Sequence, residues 1–201
     1  MIRTIAALLI AALSAVAVAQ APANPPVRIR GTVEKIDGTN LTVKANDGRS
    51  MNVKLADSYT VIGIAKASLA DISDGKFIGT ATLGERDGAL VALEVHIFPE
   101  NMRGTGEGHY AWDLRPDSMM TNANVANVTN MGKDRVLTVQ YKGGEKKVLL
   151  SESAVIVSFA PAERSELKPG AKIFSVTQRQ PDGTLTAARV NVGLKGQVPP
   201  M

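Results

Sequence analysis

Apolar and polar residues alternate along most of this chain. The alternation is clearest in segments 27–33, 41–43 and 91–97, where valine, isoleucine or leucine occupies most second positions. A period of two is typical of strands that turn one face toward a core. Turn pairs separate the segments: Asp37-Gly38, Asp87-Gly88, Gly143-Gly144 and Asp182-Gly183. Asp-Gly favours the type I′ turn of a hairpin, so the pattern predicts an all-β chain.

Two short segments depart from this alternation. Residues 66–72 and 162–167 each resemble a short helical turn, and each precedes a glycine, Gly75 or Gly170, after which extended structure resumes. The predicted order is therefore three or four strands, one short helical turn and a closing hairpin, and it occurs twice.

An internal repeat relates residues 27–98 to residues 123–193. The triplet Leu-Thr-Val at 41–43 recurs at 137–139, and Gly48 corresponds to Gly144. "DISDGK" around Gly75 matches "ELKPGAK" around Gly170, and "DGALVALEV" matches "DGTLTAARV". The offset stays at 95 or 96 residues through four blocks in the same order. A fixed period of this kind indicates a duplicated structural unit.

The order of elements in each unit resembles the OB-fold, a small five-stranded barrel. We therefore expect two tandem OB-fold-like barrels with short helical turns, which fold as separate but docked bodies. The expected boundaries are 20–98 for the first barrel, 99–122 for a long ordered linker and 123–201 for the second barrel.

The N-terminal residues have the pattern of a secretory signal peptide. Arg3 precedes an apolar run over 5–18, and Ala17-Val18-Ala19 gives the small-x-small cleavage pattern before Gln20. This run is shorter than the roughly 20 residues that span a bilayer. We predict a signal peptide at 1–19, export to the periplasm or medium, and no membrane span after cleavage. A retained membrane anchor is the alternative.

Composition excludes several classes of function. The chain has no cysteine, which excludes disulfides, thiolate metal sites and a cysteine nucleophile. The net charge is +4, aromatic residues make up 4% of the chain, and lysine and arginine are dispersed. A nucleic-acid groove needs a basic stripe with aromatic stacking platforms, so we do not expect nucleic acid as a partner.

The stretch "MRGTGEGHYAWDL" holds the only tryptophan and one of the two histidines. Trp112 is too large to be left in water, and we interpret the linker as a segment that Trp112 pins between the barrels. A ligand site would then lie in the cleft between the barrels, for a small ligand or an envelope protein. Its candidate residues are His109, Tyr110, Trp112, Asp113 and Arg115.

Catalytic motifs are absent from the sequence. It contains no Gly-x-Ser-x-Gly, no His-Glu-x-x-His and no phosphate-binding loop. His109, Asp113 and Ser118 have the residue types of a triad, but we interpret them as local hydrogen-bonding partners. The prediction is a binding or structural module without catalytic residues and without a cofactor.

Copper handling is the alternative function. Cu(I) accepts thioether and imidazole ligands, and the linker region offers Met102, His109, Met119 and Met120. Methionines also serve as flexible core residues, so both interpretations stay open. His96 lies between Val95 and Ile97 on a predicted strand and so points away from the barrel interior. Its counterpart in the repeat is Asn191, so the fold itself does not require a histidine there.

The linker carries a resemblance to a known group of proteins. "RGTGEGHYAWDLRPDSMMTNANV", followed by a second β-rich unit that ends near "PPM", resembles an uncharacterised family of small secreted proteobacterial proteins with an RGTGEGHxxWD-type linker. The resemblance implies tandem β-barrels and an exported protein. It implies no established active site.

Overall fold

The computed structural model describes residues 25–201, so the expected signal peptide at 1–19 and its cleavage site lie outside the described residues. The described chain is all-β. Its twelve strands are β1 (Val27–Asp37), β2 (Asn40–Ala45), β3 (Ser50–Lys66), β4 (Phe77–Arg86), β5 (Ala89–Ile97), β6 (Gly108–Ala111), β7 (Met119–Met131), β8 (Asp134–Tyr141), β9 (Gly144–Leu150), β10 (Val155–Pro161), β11 (Lys172–Arg179) and β12 (Leu185–Gly193).

The helical segments are single 3₁₀ turns. Leu69–Asp71 and Arg164–Glu166 lie within the two segments where the sequence predicts a helical turn. Two more turns are Glu100–Met102 and Leu194–Gly196. Across residues 25–201, no helix has the length and apolar character needed to cross a membrane.

The turn between β4 and β5 shows why Asp-Gly predicts a hairpin. Asp87 and Gly88 both have positive φ, +53° and +74°. A type I′ turn needs positive φ at both central positions, and aspartate and glycine tolerate this conformation better than most residues. The local sequence thereby determines the position of this hairpin.

Five strands close into a barrel. β1, β2 and β3 pair in antiparallel order, β11 pairs antiparallel with β1 and with β12, and β12 closes the ring by pairing in parallel with β3. Alternate side chains point inward and are almost fully buried, among them Leu41, Val43, Leu55, Val190 and Val192. The alternation in segments 27–33 and 41–43 supplies this core.

The barrel differs from the expected division of the chain. Its strands β1 to β3 come from the range 20–98, whereas β11 and β12 come from 123–201. The expectation that residues 20–98 form one barrel by themselves is therefore wrong. Because segments 27–98 and 123–193 carry similar strand patterns, alternation and turn signals cannot tell which of two similar hairpins closes the barrel.

The remaining strands form a second curved section. β7, β8 and β9 pair in antiparallel order, and the β4–β5 hairpin joins them through β4 and β7. β5 also meets β9 in parallel at two residue pairs, Leu90 with Val148 and Val91 with Leu149. A separate cluster of buried side chains fills this section, including Val95, Val139 and Val148.

Strand registers in the two sections correspond at a spacing of 95 residues. Leu185 pairs with Val53, and the residues 95 positions away, Leu90 and Val148, also pair. The same holds for Asn191 with Ile62 and for His96 with Val157. The strands of the two sections therefore pair in equivalent registers. Each section combines strands from both halves of the chain.

β10 joins the two sections. It pairs antiparallel with β3 and parallel with β5, and Phe159 lies opposite Ile64. A third cluster of buried side chains, distinct from the two cores, lies at this junction: Ile64, Val157, Phe174 and Met201. The linker passes over this cluster.

Candidate ligand-binding cavity

A cavity of about 550 Å³ lies between the two sections, on the side that the linker covers. One section contributes His96, Phe98, Met120 and Asn122. The other contributes residues of β3, β11 and β12, including Phe174, Arg189 and Asn191. The linker adds Met102, Thr105, Tyr110 and Trp112, and Phe159 and Met201 complete the wall.

The linker is ordered by pairing of β6 with β7. Gly108–Ala111 lies antiparallel to the start of β7, and the N–H of Trp112 donates to the carbonyl of Ser118 at 2.8 Å. Successive side chains of a strand point to opposite faces. Tyr110 and Trp112 consequently face the cavity, and His109 faces away from it.

Trp112 lies against the junction of the two sections. Its half-buried indole packs against the cluster of Ile64, Val157, Phe174 and Met201. The Arg28 guanidinium lies over the indole ring, 4.1 Å from its centroid, at a distance where a cation is attracted to an aromatic face. The indole Nε1 is buried and has no hydrogen-bond partner among the described residues.

Asp113 holds the linker to β1. Its carboxylate accepts a hydrogen bond from Arg30 at 2.7 Å and lies 3.5 Å from Arg28. Burial raises the pKa of Asp113, but the hydrogen bond and the two arginine charges outweigh it, so the pKa lies below its ordinary value. Asp113 is thus a structural anion shared by two cations beside the cavity, and one positive charge remains uncompensated there.

Other candidates from the sequence lie elsewhere. His109 Nδ1 is 2.8 Å from Thr121 Oγ1, and its ring stacks at 6.3 Å on Tyr141. Partial burial and then the charge of Lys146 lower the pKa of His109. Arg115 is exposed in the turn before Ser118. Of the five candidate ligand residues, only Tyr110 and Trp112 line the cavity.

The candidate metal ligands divide between two faces. Met102 and Met120 line the cavity. Met119 and His109 belong to the opposite face of the β6–β7 pair, because Ala111 pairs with Met119 and His109 pairs with Thr121. The proposed set of four does not converge. Within residues 25–201, no three histidine, aspartate or glutamate side chains cluster as a metal site.

His96 enters the cavity through a gap that Gly79 leaves. A Cβ at Gly79 would lie 1.9 Å from His96 Nε2 and 2.5 Å from Asn122 Oδ1. Any larger residue at position 79 would therefore displace the imidazole. His96 points away from the barrel interior, as the sequence predicts, but it is only 3% exposed because Phe98 and Phe159 cover it edge-on.

Glu94 lies behind His96 on the same face of β5. Its Oε1 is 3.9 Å from His96 Nδ1, and none of these buried atoms has a hydrogen-bond partner among the described residues. Burial raises the pKa of Glu94 to about 8, with Arg30 opposing the shift, and burial lowers the pKa of His96 to about 4. Both groups are neutral at pH 7.

Two buried carboxamides complete the polar lining. Asn122 donates from Nδ2 to the Thr105 carbonyl at 3.1 Å and to Tyr110 Oη at 3.3 Å. These bonds leave its Oδ1 buried and without a donor. Asn191 Oδ1 is likewise buried and unpartnered. Two residues of the mostly apolar cavity wall thus carry a buried amide oxygen with no partner among the described residues.

Sequence reasoning missed His96 and Asn191 as cavity residues, although a signal existed. They are counterparts at the 95-residue spacing, and each is a polar residue between core-facing valines or isoleucines. Polar residues at equivalent positions of both repeats can indicate a shared surface. Their burial was not predictable, because the elements that cover them are distant in sequence.

Comparisons with known proteins return no relative. No family model matches the chain, and neither the curated proteins nor the solved structures give a match. The function is therefore inferred from the cavity itself.

Proposed function

We propose that this protein is a non-enzymatic binding module of the cell envelope that holds a small organic ligand in the cavity beneath the linker. The observation that supports it most is the concentration of aromatic side chains there. Five of the eight aromatic residues in the chain line the cavity: Phe98, Tyr110, Trp112, Phe159 and Phe174. An apolar pocket with a few convergent polar groups is the usual form of a ligand site.

Binding fits these residues better than catalysis. Carboxamides do not ionise near neutral pH and burial raises the pKa of Tyr110, so acid–base chemistry in the cavity would depend on His96. A pKa of about 4 makes His96 a weak base, and general-base catalysis is most efficient when the pKa is near the working pH.

We further propose that the molecule consists of two interlocked OB-like barrels that arose by duplication. The corresponding registers of Leu185 with Val53 and of Leu90 with Val148 support this proposal. In this arrangement each barrel is completed by the closing hairpin of the other repeat. The cavity then lies beside the pseudo-twofold axis between Ile64 and Phe159, and the linker breaks the symmetry by covering one side.

The location in the envelope follows from the predicted signal peptide. The resemblance of the linker to the uncharacterised secreted family supports the same compartment. In this proposal the partner is a small ligand, and an envelope protein is the alternative.

Fluorescence of N-phenyl-1-naphthylamine tests binding in the cavity. Ala188 is an exposed lining residue, and Ala188→Trp would obstruct the entrance without changing a core. We expect the wild type to bind one dye molecule per chain, and Ala188→Trp to weaken binding at least tenfold. Ala126→Trp, on an exposed position of β7 outside the cavity, is the matched control and should bind as the wild type does.

Two outcomes contradict this proposal. One is that the dye shows no saturable binding to the wild type. The other is that Ala188→Trp and Ala126→Trp bind the dye equally well, because the dye would then occupy a different surface.

Copper handling remains a second candidate, in a revised form. Met102, Met120 and Met201 line the same cavity as His96, and thioether with imidazole is a ligand set for Cu(I). The ligands would thus include His96 and Met201 in place of His109 and Met119. A competition titration with a Cu(I) chelator tests it: Met120→Leu should lose the metal, and Met51→Leu should keep it. Equal Cu(I) affinity of the two variants contradicts this candidate.

A further inference from the structure

We propose that the ligand is a planar aromatic molecule that carries an N–H or O–H donor and no positive charge, such as a phenol or an aromatic N-heterocycle. This inference rests on the proposed binding function and specifies the ligand class. Three properties of the cavity support it: the shape of its walls, its orphaned acceptors and its charge.

The walls suit a flat ring system. Phe98 and Phe159 lie together with centroids 4.8 Å apart and a tilt of 32°. Across the cavity, Trp112 lies 6.4 Å from Phe174 at 52°. Aromatic rings interact best in offset or edge-to-face arrangements, and these tilted faces and edges offer both to a planar guest.

The orphaned acceptors require a donor. The Oδ1 atoms of Asn122 and Asn191 are buried and unpaired, and both side chains are more than nine-tenths buried. The hydrogen bonds of Asn122 Nδ2 to Thr105 and Tyr110 fix the orientation of its amide, with Oδ1 toward Gly79 and His96. An unpaired buried acceptor is costly, so a ligand that donates to it gains affinity over an isostere that cannot. A site built for a hydrogen bond strongly rejects analogues that lack it.

The electrostatic surroundings disfavour a cationic ligand. Arg28 and Arg30, beside Trp112, share the single carboxylate of Asp113, so one positive charge remains there. The exposed Arg189 also lines the cavity, whereas Glu94 and His96 are both buried and uncharged at pH 7. A cationic ligand would lose its hydration in the cavity without gaining a buried counter-ion.

The volume separates this ligand class from the alternatives. About 550 Å³ lies in the range of pockets for small organic molecules, roughly 300–1,000 Å³. A bare metal ion needs far less space than this cavity offers. The occupant is therefore a molecule of a few fused or linked rings.

A pair of matched probes tests the donor requirement. 2-Naphthol carries an O–H donor, and 2-methoxynaphthalene has nearly the same shape without it. Equilibrium dialysis against the full mature chain measures both affinities. We expect the wild type to bind 2-naphthol at least tenfold more tightly than the methyl ether.

A variant tests whether the Asn191 oxygen accepts the hydrogen bond that causes the preference for 2-naphthol. Asn191→Leu removes one orphaned oxygen at similar volume, and we expect the preference for 2-naphthol to fall to about threefold or less. Asn130→Leu, at an exposed position near the end of β7, is the matched control and should keep the full preference.

The outcomes separate this inference from the proposed function. Equal binding of both probes to the wild type overturns the donor requirement, and saturable binding of N-phenyl-1-naphthylamine would then still support the cavity as a binding site. A preference that Asn191→Leu and Asn130→Leu share overturns the role of Asn191. If none of the three probes binds, both proposals fail.

Discussion

Trp112 attaches the linker to the junction of the two sections. Its indole packs on the cluster of Ile64, Val157, Phe174 and Met201, with the Phe174 ring centroid 6.4 Å away and Arg28 over its ring. That this side chain holds the linker in place stays a prediction, which the stability of the alanine variant tests. Trp112 is also a wall of the cavity, so packing and ligand binding depend on the same side chain.

Trp112→Ala should lower the free energy of unfolding by about 2–4 kcal/mol. Loss of a fully buried Trp costs about 3–5 kcal/mol, and the half-buried indole should cost somewhat less. His109→Ala, the matched control on the opposite face of β6, loses a hydrogen bond to Thr121 that is worth about 1 kcal/mol. Chemical denaturation measures both, and equal losses would contradict the role of Trp112.

Glu94 should make stability depend on pH between 6.5 and 8. The pKa of Glu94 is about 8 in the folded chain and ordinarily 4.5. Between pH 4.5 and 8 the folded chain therefore holds a proton that the unfolded chain has released. Stability from Glu94 therefore falls as pH rises from 4.5 to 8.

His96 has the opposite effect over a lower range. Its folded pKa of about 4 lies below the ordinary 6.5, so its contribution to stability rises with pH up to 6.5 and offsets that of Glu94. Of these two groups, only Glu94 changes its contribution above pH 6.5. The free energy of unfolding should therefore fall by about 2 kcal/mol between pH 6.5 and pH 8.

Glu94→Gln should abolish this decline while keeping the size of the side chain. Thermal unfolding at pH 6.5, 7.25 and 8 measures the difference. Parallel profiles for the wild type and the variant would show that Glu94 does not titrate as a buried carboxyl.

At the scale of the element, local signals determined the strands and turns but not their partners. The turn at Asp87-Gly88 and the alternation around Val95 follow from nearest neighbours. The pairing of β12 with β3 depends on a choice between two nearly equivalent hairpins, which alternation does not distinguish. The burial of His96 under Phe159 follows from the parallel pairing of β5 with β10, strands that are distant in sequence, so it could not be predicted either.

Because strands pair across the halves, cleavage of the linker should not separate them. A protease site inserted between Gly104 and Thr105, which are exposed, would leave β1–β5 on one fragment and β6–β12 on the other. β1 with β11, β3 with β12 and β4 with β7 all pair between the fragments.

We expect the two fragments to elute together in size-exclusion chromatography under native conditions and to separate in denaturant. Elution as two independent folded fragments in native buffer would support two barrels of contiguous sequence and contradict the exchanged hairpins.

At the scale of the whole molecule, two sections with separate cores enclose a third region whose polar atoms lack partners. The cores of the two sections, around Val43 and Val139, are apolar. In the described chain, Glu94, His96, Asn122 and Asn191 all have orphaned atoms at or behind the cavity. Buried polar groups in proteins are normally paired, so this concentration distinguishes the cavity from the cores as the functional region.

The methionine methyl groups offer the most direct test of ligand binding between the two sections. Met102, Met120 and Met201 line the cavity. Met51 packs on the first barrel core, and Met131 is exposed at the end of β7. In a methyl-labelled ¹H–¹³C spectrum, saturating N-phenyl-1-naphthylamine should shift the signals of Met102, Met120 and Met201 and leave those of Met51 and Met131 in place. Shifts confined to Met51 or Met131, or no shift at a saturating dye concentration, would contradict ligand binding in the cavity.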